Sequence, residues 1–377
     1  AVHPVTGRVF ITAAGPMKGV AHSGVLYGLD VKPTGIVIGF ATPMGGGSGT
    51  SPALSADASF VYSADGEGQM LSADTRTGKV VWAARGEGLL SPAIADDGTI
   101  LTGDIFAAPT VVALNPGDGA RKWAKSYDDY AATRLPVLEP HPPEFPSGQP
   151  VARLVSVISA SANAVWVGMN LGYDYHQPGS GLTLPVPHKT VVCALRPQDG
   201  TLLDCVDVRD TVEGMINIGT AGRLAVSHTS IFGSFFYHGL NPLLPQRYRS
   251  PMVPVGGLTA LEPESFCEQA VLELGQVDQF LGELDGALAA ADQAGALRLA
   301  ARATMQAGVI EDSLLEMERA GDLPTAQRRK LRGAIEATSL EISKMRDELA
   351  VDSPATPDIR RRYRSLFDER PDSPDCP

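Results

Sequence analysis

The sequence predicts an all-β propeller of four-stranded blades over residues 1–266, an α-helical bundle or hairpin over 267–350, and a disordered tail over 351–377. Three observations lead there. A unit of about 40 residues recurs along the chain. Inside each unit, short stretches alternate apolar and polar residues, the period of half-buried strands. After Phe266 the apolar period lengthens to about 3.5, the spacing of packed helices.

The recurring unit is clearest in two copies. SPALSADASFVYSADG begins at Ser51 and SPAIADDGTILTGD at Ser91, forty residues later. Each reads as a strand, a tight polar turn and a second strand. Each leads to a third strand ending in a turn and a fourth ending in Trp: LSADTRTGKVVW (71–82) and VALNPGDGARKW (112–123). Four short strands per unit is the make-up of a propeller blade. Weaker copies are YGLDVKPTGIVIGF (27–40), closing on Phe40, and CALRPQDGTLLD (193–204), with Asp204 where Trp stands elsewhere. TALEPESF (259–266) ends the series on Phe266. The small residue that opens the pattern recurs at Gly28, Ser72, Ala113, Ala194 and Ala260, which marks five units, the first and last incomplete.

The two best copies resemble the pyrroloquinoline-quinone (PQQ) type of propeller repeat, Ala-x-Asp-x-x-Thr-Gly-x-x-x-Trp, departing only at Ser72 and Asn115 in its named small and Asp positions and at Asp118 in its Thr position. The resemblance covers about residues 1–266. It implies that Trp82 and Trp123 dock blades together beside the Ala and the Gly turn of a neighbour. Elementary chemistry suits these roles. Gly78 and Gly119 permit the turn, Asp74 and Asn115 can bond back to it, and Ala113 is small enough to admit a ring. Such a weld of sheet to sheet is a structural device and does not by itself call for a bound quinone.

The chain opens at Ala1 inside a unit, because RVFITA (8–13) matches a second strand. The expectation is a fragment, or an open arc of blades with unpaired edges. It also leaves room for an upstream export segment.

Three stretches exceed the repeat: 124–152, 170–188 and 229–256. The first joins one blade to the next, and the other two lie between second and third strands. Strands alternate direction within a blade, so all three should leave from one face. Long excursions in a compact domain are commonly functional. These are rich in Tyr, Phe, Pro and His. The candidate partner- or ligand-binding residues are Tyr173, Tyr175, His176, Phe235, Phe236, Tyr237, His238, Arg247 and Tyr248, since aromatics with Arg make strong contact anchors. The competing reading is that they pack the loops upon themselves.

Chemistry is sparse. Formal net charge is −12, a poor match to nucleic acid, and no apolar run is long enough to span a membrane. No CxxC, zinc-type Cys/His cluster, adjacent Cys pair or GxSxG occurs. GGGSGT (45–50) lacks the Lys of a phosphate loop and reads as a connector. Asp174 and His176 could ligate a metal or move a proton, but two polar residues in a Gly-rich stretch are common. No catalytic residue, metal site or cofactor is therefore expected. Cys193 and Cys205 flank one predicted hairpin turn, leaving two readings: a disulfide suited to an oxidising compartment, or two free thiols.

SFCE (265–268) has the form of a helix capping box. Leu274, Val277, Leu281, Leu284, Leu288 and Ala291 then follow a three-four spacing. A second helix is predicted over about 297–319 and a third over about 325–350, separated by AGDLP. Their apolar faces suit internal packing or, alternatively, oligomerisation. The tail carries RRRYR (360–364), read as a solvated patch.

The resulting expectation is a non-enzymatic, exported bacterial scaffold, in the periplasm or attached to the cell envelope, binding a protein partner through one face. The family resemblance supplies the analogy, a propeller lipoprotein that assists outer-membrane β-barrel assembly. Two alternatives stand beside it. One is a PQQ- and calcium-dependent or other small-ligand oxidoreductase with its ligands in missing blades. The other is sugar or peptide recognition by the aromatic loops.

Overall fold

The computed structural model describes residues 1–14, 24–46, 50–86, 90–104, 108, 110–161, 164–212, 214–219, 222–228, 233–262 and 266–290, with short runs and single residues from 292 to 344. These residues form two compact units: Ala1–Asn217 with Ala225–Thr259, and Ile218–Leu224 with the chain from Ala260 onward.

Among the described residues five sheets follow one another along the chain, the first four antiparallel. The first is β1 (Val9–Ala14), β2 (Gly24–Lys32) and β3 (Gly35–Met44). The isolated bridge Val2↔Val9 sets the N-terminal residues beside β1. The second is β4 (Ala53–Leu54), β5 (Phe60–Ala64), β6 (Gln69–Asp74) and β7 (Val80–Arg85). The third is β8 (Ala93–Ile94), β9 (Ile100–Gly103), β10 (Val111–Leu114) and β11 (Arg121–Lys125). Both are four-stranded, in chain order.

The fourth sheet has five strands: β12 (Pro150–Leu154), β13 (Ser159–Ala160), β14 (Val165–His176), β15 (Thr183–Leu195) and β16 (Leu202–Val208). Here the stretch 170–188, expected as a loop, is mostly strand. β14 and β15 run on as one long hairpin that turns at 177–182. The short β13 covers only Val165 and Trp166, so β12 supplies an extra partner for Met169–Tyr173.

The fifth sheet holds β17 (Ile216–Ile218), β18 (Leu224–His228) and β19 (Gly257–Leu261). Phe266, expected to close the last repeat, instead begins a helix. It occupies the position that Gly78, Gly119 and Gly200 hold in the other repeats, where φ lies near +70°. A phenylalanine does not turn the chain back there at low cost.

The sheets are joined by a repeated contact. Trp82 lies on Gly119 of the next sheet, where a Cβ would sit 2.5 Å from the ring, and its indole N–H donates to the Pro116 carbonyl at 2.9 Å. Trp123 sits on Gly200 in the same way and donates to the Pro197 carbonyl at 3.0 Å. Phe40 sits on Gly78 but has no N–H to give. Arg8 stands over the Phe40 ring and donates to the Thr75 and Arg76 carbonyls in its place, while Asp30 holds its Nε. That bond from Arg8 keeps the Asp30 carboxyl below the usual carboxylate range. The small residues Gly28, Ser72 and Ala113 stand opposite the aromatic of their own sheet, and a register shift follows each of them. Asp74 and Asn115 accept amide hydrogen bonds within their own turns. Where Asp204 replaces the aromatic, a disulfide one residue away joins Cys193 to Cys205 across paired strands.

In the second unit, helix α2 (Phe266–Ala289) buries Ala270, Phe280, Leu284 and Leu288. Its Glu273 carboxylate accepts from Gln269 and from Ser313 in a helical run at 313–319. Ser265 of the expected capping box, residues 301–309 and 334–339 of the expected second and third helices, and the tail 351–377 lie outside the described residues.

Candidate partner-binding face

The three stretches beyond the repeat meet in one core. The first contributes helix α1 (Asp128–Arg134) and then Leu135, Leu138 and Phe145. The second is the outer half of the β14–β15 hairpin, with Tyr173, Tyr175, Leu184 and Val186. The third forms a π-helical turn, Phe235–Leu240, and two 3₁₀ turns, and contributes Phe236, Leu240, Leu244 and Tyr248. Phe145 stacks on Tyr248 at 3.9 Å between ring centroids, and Tyr173 meets His188 edge-on at 4.8 Å. One apolar cluster drawing on all three requires that they leave the sheets on the same side.

Their polar groups are tied into the same assembly, as buried groups must be. The Tyr173 hydroxyl donates to the Pro136 carbonyl and the Tyr248 hydroxyl to that of Leu138. Burial, with Tyr248 nearby, pushes the Tyr173 phenol up to about 12. Burial likewise lowers His188, against a bond to the Tyr248 carbonyl that raises it. At the base, Arg153 is clamped between Asp128 at 3.0 Å and Asp174 at 2.7 Å.

This divides the nine candidate residues. Tyr173, Tyr175, Phe236 and Tyr248 are interior, holding the layer together rather than meeting solvent. A layer without a full sheet of its own needs such a core, and large rings supply most of it. His176, Phe235, His238 and Arg247 are exposed, and Tyr237 is half-exposed. Phe235 is 49% exposed and rests edge-on against Phe236. Arg247 lies over the Tyr248 ring and donates to the Pro140 carbonyl, which fixes its guanidinium at the surface. Asp174 is engaged by Arg153 while His176 faces solvent, and no three His, Cys, Asp or Glu side chains converge on a metal-sized site among the described residues. Phe145, central to the core, escaped the sequence reading because HPPEFPSG shows no periodicity.

Residues 22–214 match the PQQ-repeat family described as outer membrane protein assembly factor BamB. The chain belongs to that family. No curated protein matches it. Solved structures similar to it include dihydro-heme d1 dehydrogenase NirN in complex with DHE, at 14% identity and TM-score 0.32, covering 60% of this chain and 49% of that one. BamB from Moraxella catarrhalis is similar at 11% identity and TM-score 0.29, covering 58% and 75%. The quinohemoprotein alcohol dehydrogenase ADHIIG from Pseudomonas putida HK5 is similar at 12% identity and TM-score 0.35, covering 59% and 36%. Likenesses this loose say nothing about function. Membership of the BamB family rests on the repeat itself.

Proposed function

We propose that the chain is a non-enzymatic, exported envelope scaffold that binds a protein partner through the exposed side chains of the insertion layer. The observation that carries the reading is the shared core. Three excursions from different parts of the chain bury Phe145, Tyr173 and Tyr248 together, and this holds Phe235, Tyr237, His238, Arg247 and His176 outward on a rigid base. Rings and a guanidinium displayed without further ordering cost are what a protein contact site needs. The family's description as an outer membrane protein assembly factor supports a partner in that process. The Cys193–Cys205 disulfide supports an oxidising compartment, which for a bacterial protein is the periplasm or the outer envelope. No helix among the described residues is long and apolar enough to cross a membrane.

Photo-crosslinking amino acids at Phe235 and Arg247, with a control at Val81 on the exposed outer strand β7, test this in an envelope fraction. One protein should crosslink from the first two positions and not from Val81. Equal crosslinking from all three, or none, would overturn the reading. So would saturable binding of PQQ with calcium in a spectroscopic titration, which favours the oxidoreductase alternative.

A further inference from the structure

A cleft of about 440 Å³ opens where β15, the end of β16 and the segment Pro251–Val255 meet. It lies within the first unit and shares His188, Pro251, Met252, Val253 and Val255 with the insertions, yet contains none of the nine candidate residues. Its charge is unlike that of the chain, whose formal net charge is −12. Lys189 and Arg209 both line it. Its one carboxylate, Asp207, is engaged at 2.6 Å by Arg134 and lies 3.6 Å from the Lys189 ammonium. Arg209 is exposed and makes no ion pair among the described residues. Two cations therefore hold the one carboxylate and a third, Arg209, lines the same cleft, in a protein that is otherwise strongly acidic. Beside them runs an apolar wall: Met252 is buried, while Val253 and Val255 are more than half exposed. In addition, β16 is the outermost strand of its sheet among the described residues.

We propose that this cleft recognises an acidic peptide segment, with Lys189 and Arg209 taking its carboxylates and Val253 and Val255 its neighbouring aliphatic side chains. A carboxylate brought between two cations is ion-paired as well as hydrogen-bonded, whereas a neutral amide is only hydrogen-bonded. The inference rests on the preceding reading only in taking the partner to be a protein, and it names the chemistry of one segment.

Fluorescence anisotropy on the full chain tests it, with a labelled dodecapeptide alternating Val and Glu as the probe and its Val–Gln counterpart as control. The Glu peptide should bind saturably, and at least about tenfold more tightly than the Gln peptide. Its affinity should fall by about tenfold or more in Arg209→Glu and in Lys189→Gln, and should weaken as salt rises. Arg209 is exposed, so circular dichroism should show the Arg209→Glu fold unchanged. Equal binding of the two peptides, or wild-type affinity in both variants, overturns the proposal. So does binding to phosphatidylglycerol vesicles that Arg209→Glu abolishes while peptide binding is absent, because the site would then serve an anionic lipid. Persistence of the Phe235 and Arg247 crosslinks in Arg209→Glu, with no peptide binding by the wild type, removes this inference and leaves the scaffold reading standing. Absence of the Phe235 and Arg247 crosslinks in the wild type, with its peptide binding intact, does the reverse.

Discussion

Gly119 and Gly86 share a backbone conformation, with φ of +72° and +73°, yet only Gly119 lies under a ring. A Cβ at Gly86 would meet nothing within 4 Å, whereas one at Gly119 would sit 2.5 Å from Trp82. The pair therefore separates backbone strain from steric need. Gly86→Ala should cost about 1–2 kcal/mol, the penalty of an L-residue in the left-handed region. Gly119→Ala carries that penalty and must also displace the indole, which adds about 1–3 kcal/mol of overpacking. Urea denaturation of the two variants measures the difference. Equal losses would mean that Trp82 can move aside freely, and the sheets would not then be wedged by their aromatics. The same logic explains Arg8. Phe40 fills the space over Gly78 but leaves the Thr75 carbonyl without the donor an indole provides, and Arg8, just before β1, supplies it.

At the scale of elements, the insertion layer is a core apart from those between the sheets, and it can be loosened separately. Phe145 is 1% exposed and stacks on Tyr248. Phe145→Ala removes that ring at about 3–5 kcal/mol. The loss should appear as local opening, because the layer's apolar contacts are mostly with itself. Amide exchange should accelerate in 235–248 and at the hairpin end near 176–184, while β5 and β6 keep their protection. A uniform acceleration across β5 and β6 as well would show the layer to be one cooperative unit with the sheets. Much of this layer was readable in outline only. Its position followed from residues in excess of the forty-residue period. That Tyr173 and Tyr175 continue a strand did not follow, because the Gly and Pro of the 177–182 turn obscured a regular alternation on either side. The inward facing of Tyr248 depends on Phe145, about a hundred residues earlier, and no local pattern encodes such a meeting.

For the propeller unit as a whole, the sequence was legible wherever the joint between sheets is local. Trp82 and Trp123 each lie ten residues after a small residue and Phe40 twelve after Gly28, and the glycine that receives each ring stands at the same place in the next repeat. After Asp204 that spacing stops, and so does the legibility. The fourth and fifth sheets are joined instead by Val157 donating to the Gly214 carbonyl, by Ser159 donating to that of Ile216, and by buried Asp210. Asp210 accepts from the amides of Val255 and Gly256, while its own carbonyl meets the His228 ring. These partners are scattered over a hundred residues. Hydrogen bonds in that joint take the place of an indole's buried area, so it should be the weaker one. Asp210→Asn keeps the side chain's shape but turns one acceptor into a donor facing backbone N–H groups. It should therefore cost about 1–3 kcal/mol. Hydrogen exchange should locate that cost in β17 and β18, with β5, β6, β9 and β10 unchanged. A variant in which all these strands lose protection together would mean that the sheets open as one body, with the polar joint as strong as the aromatic ones.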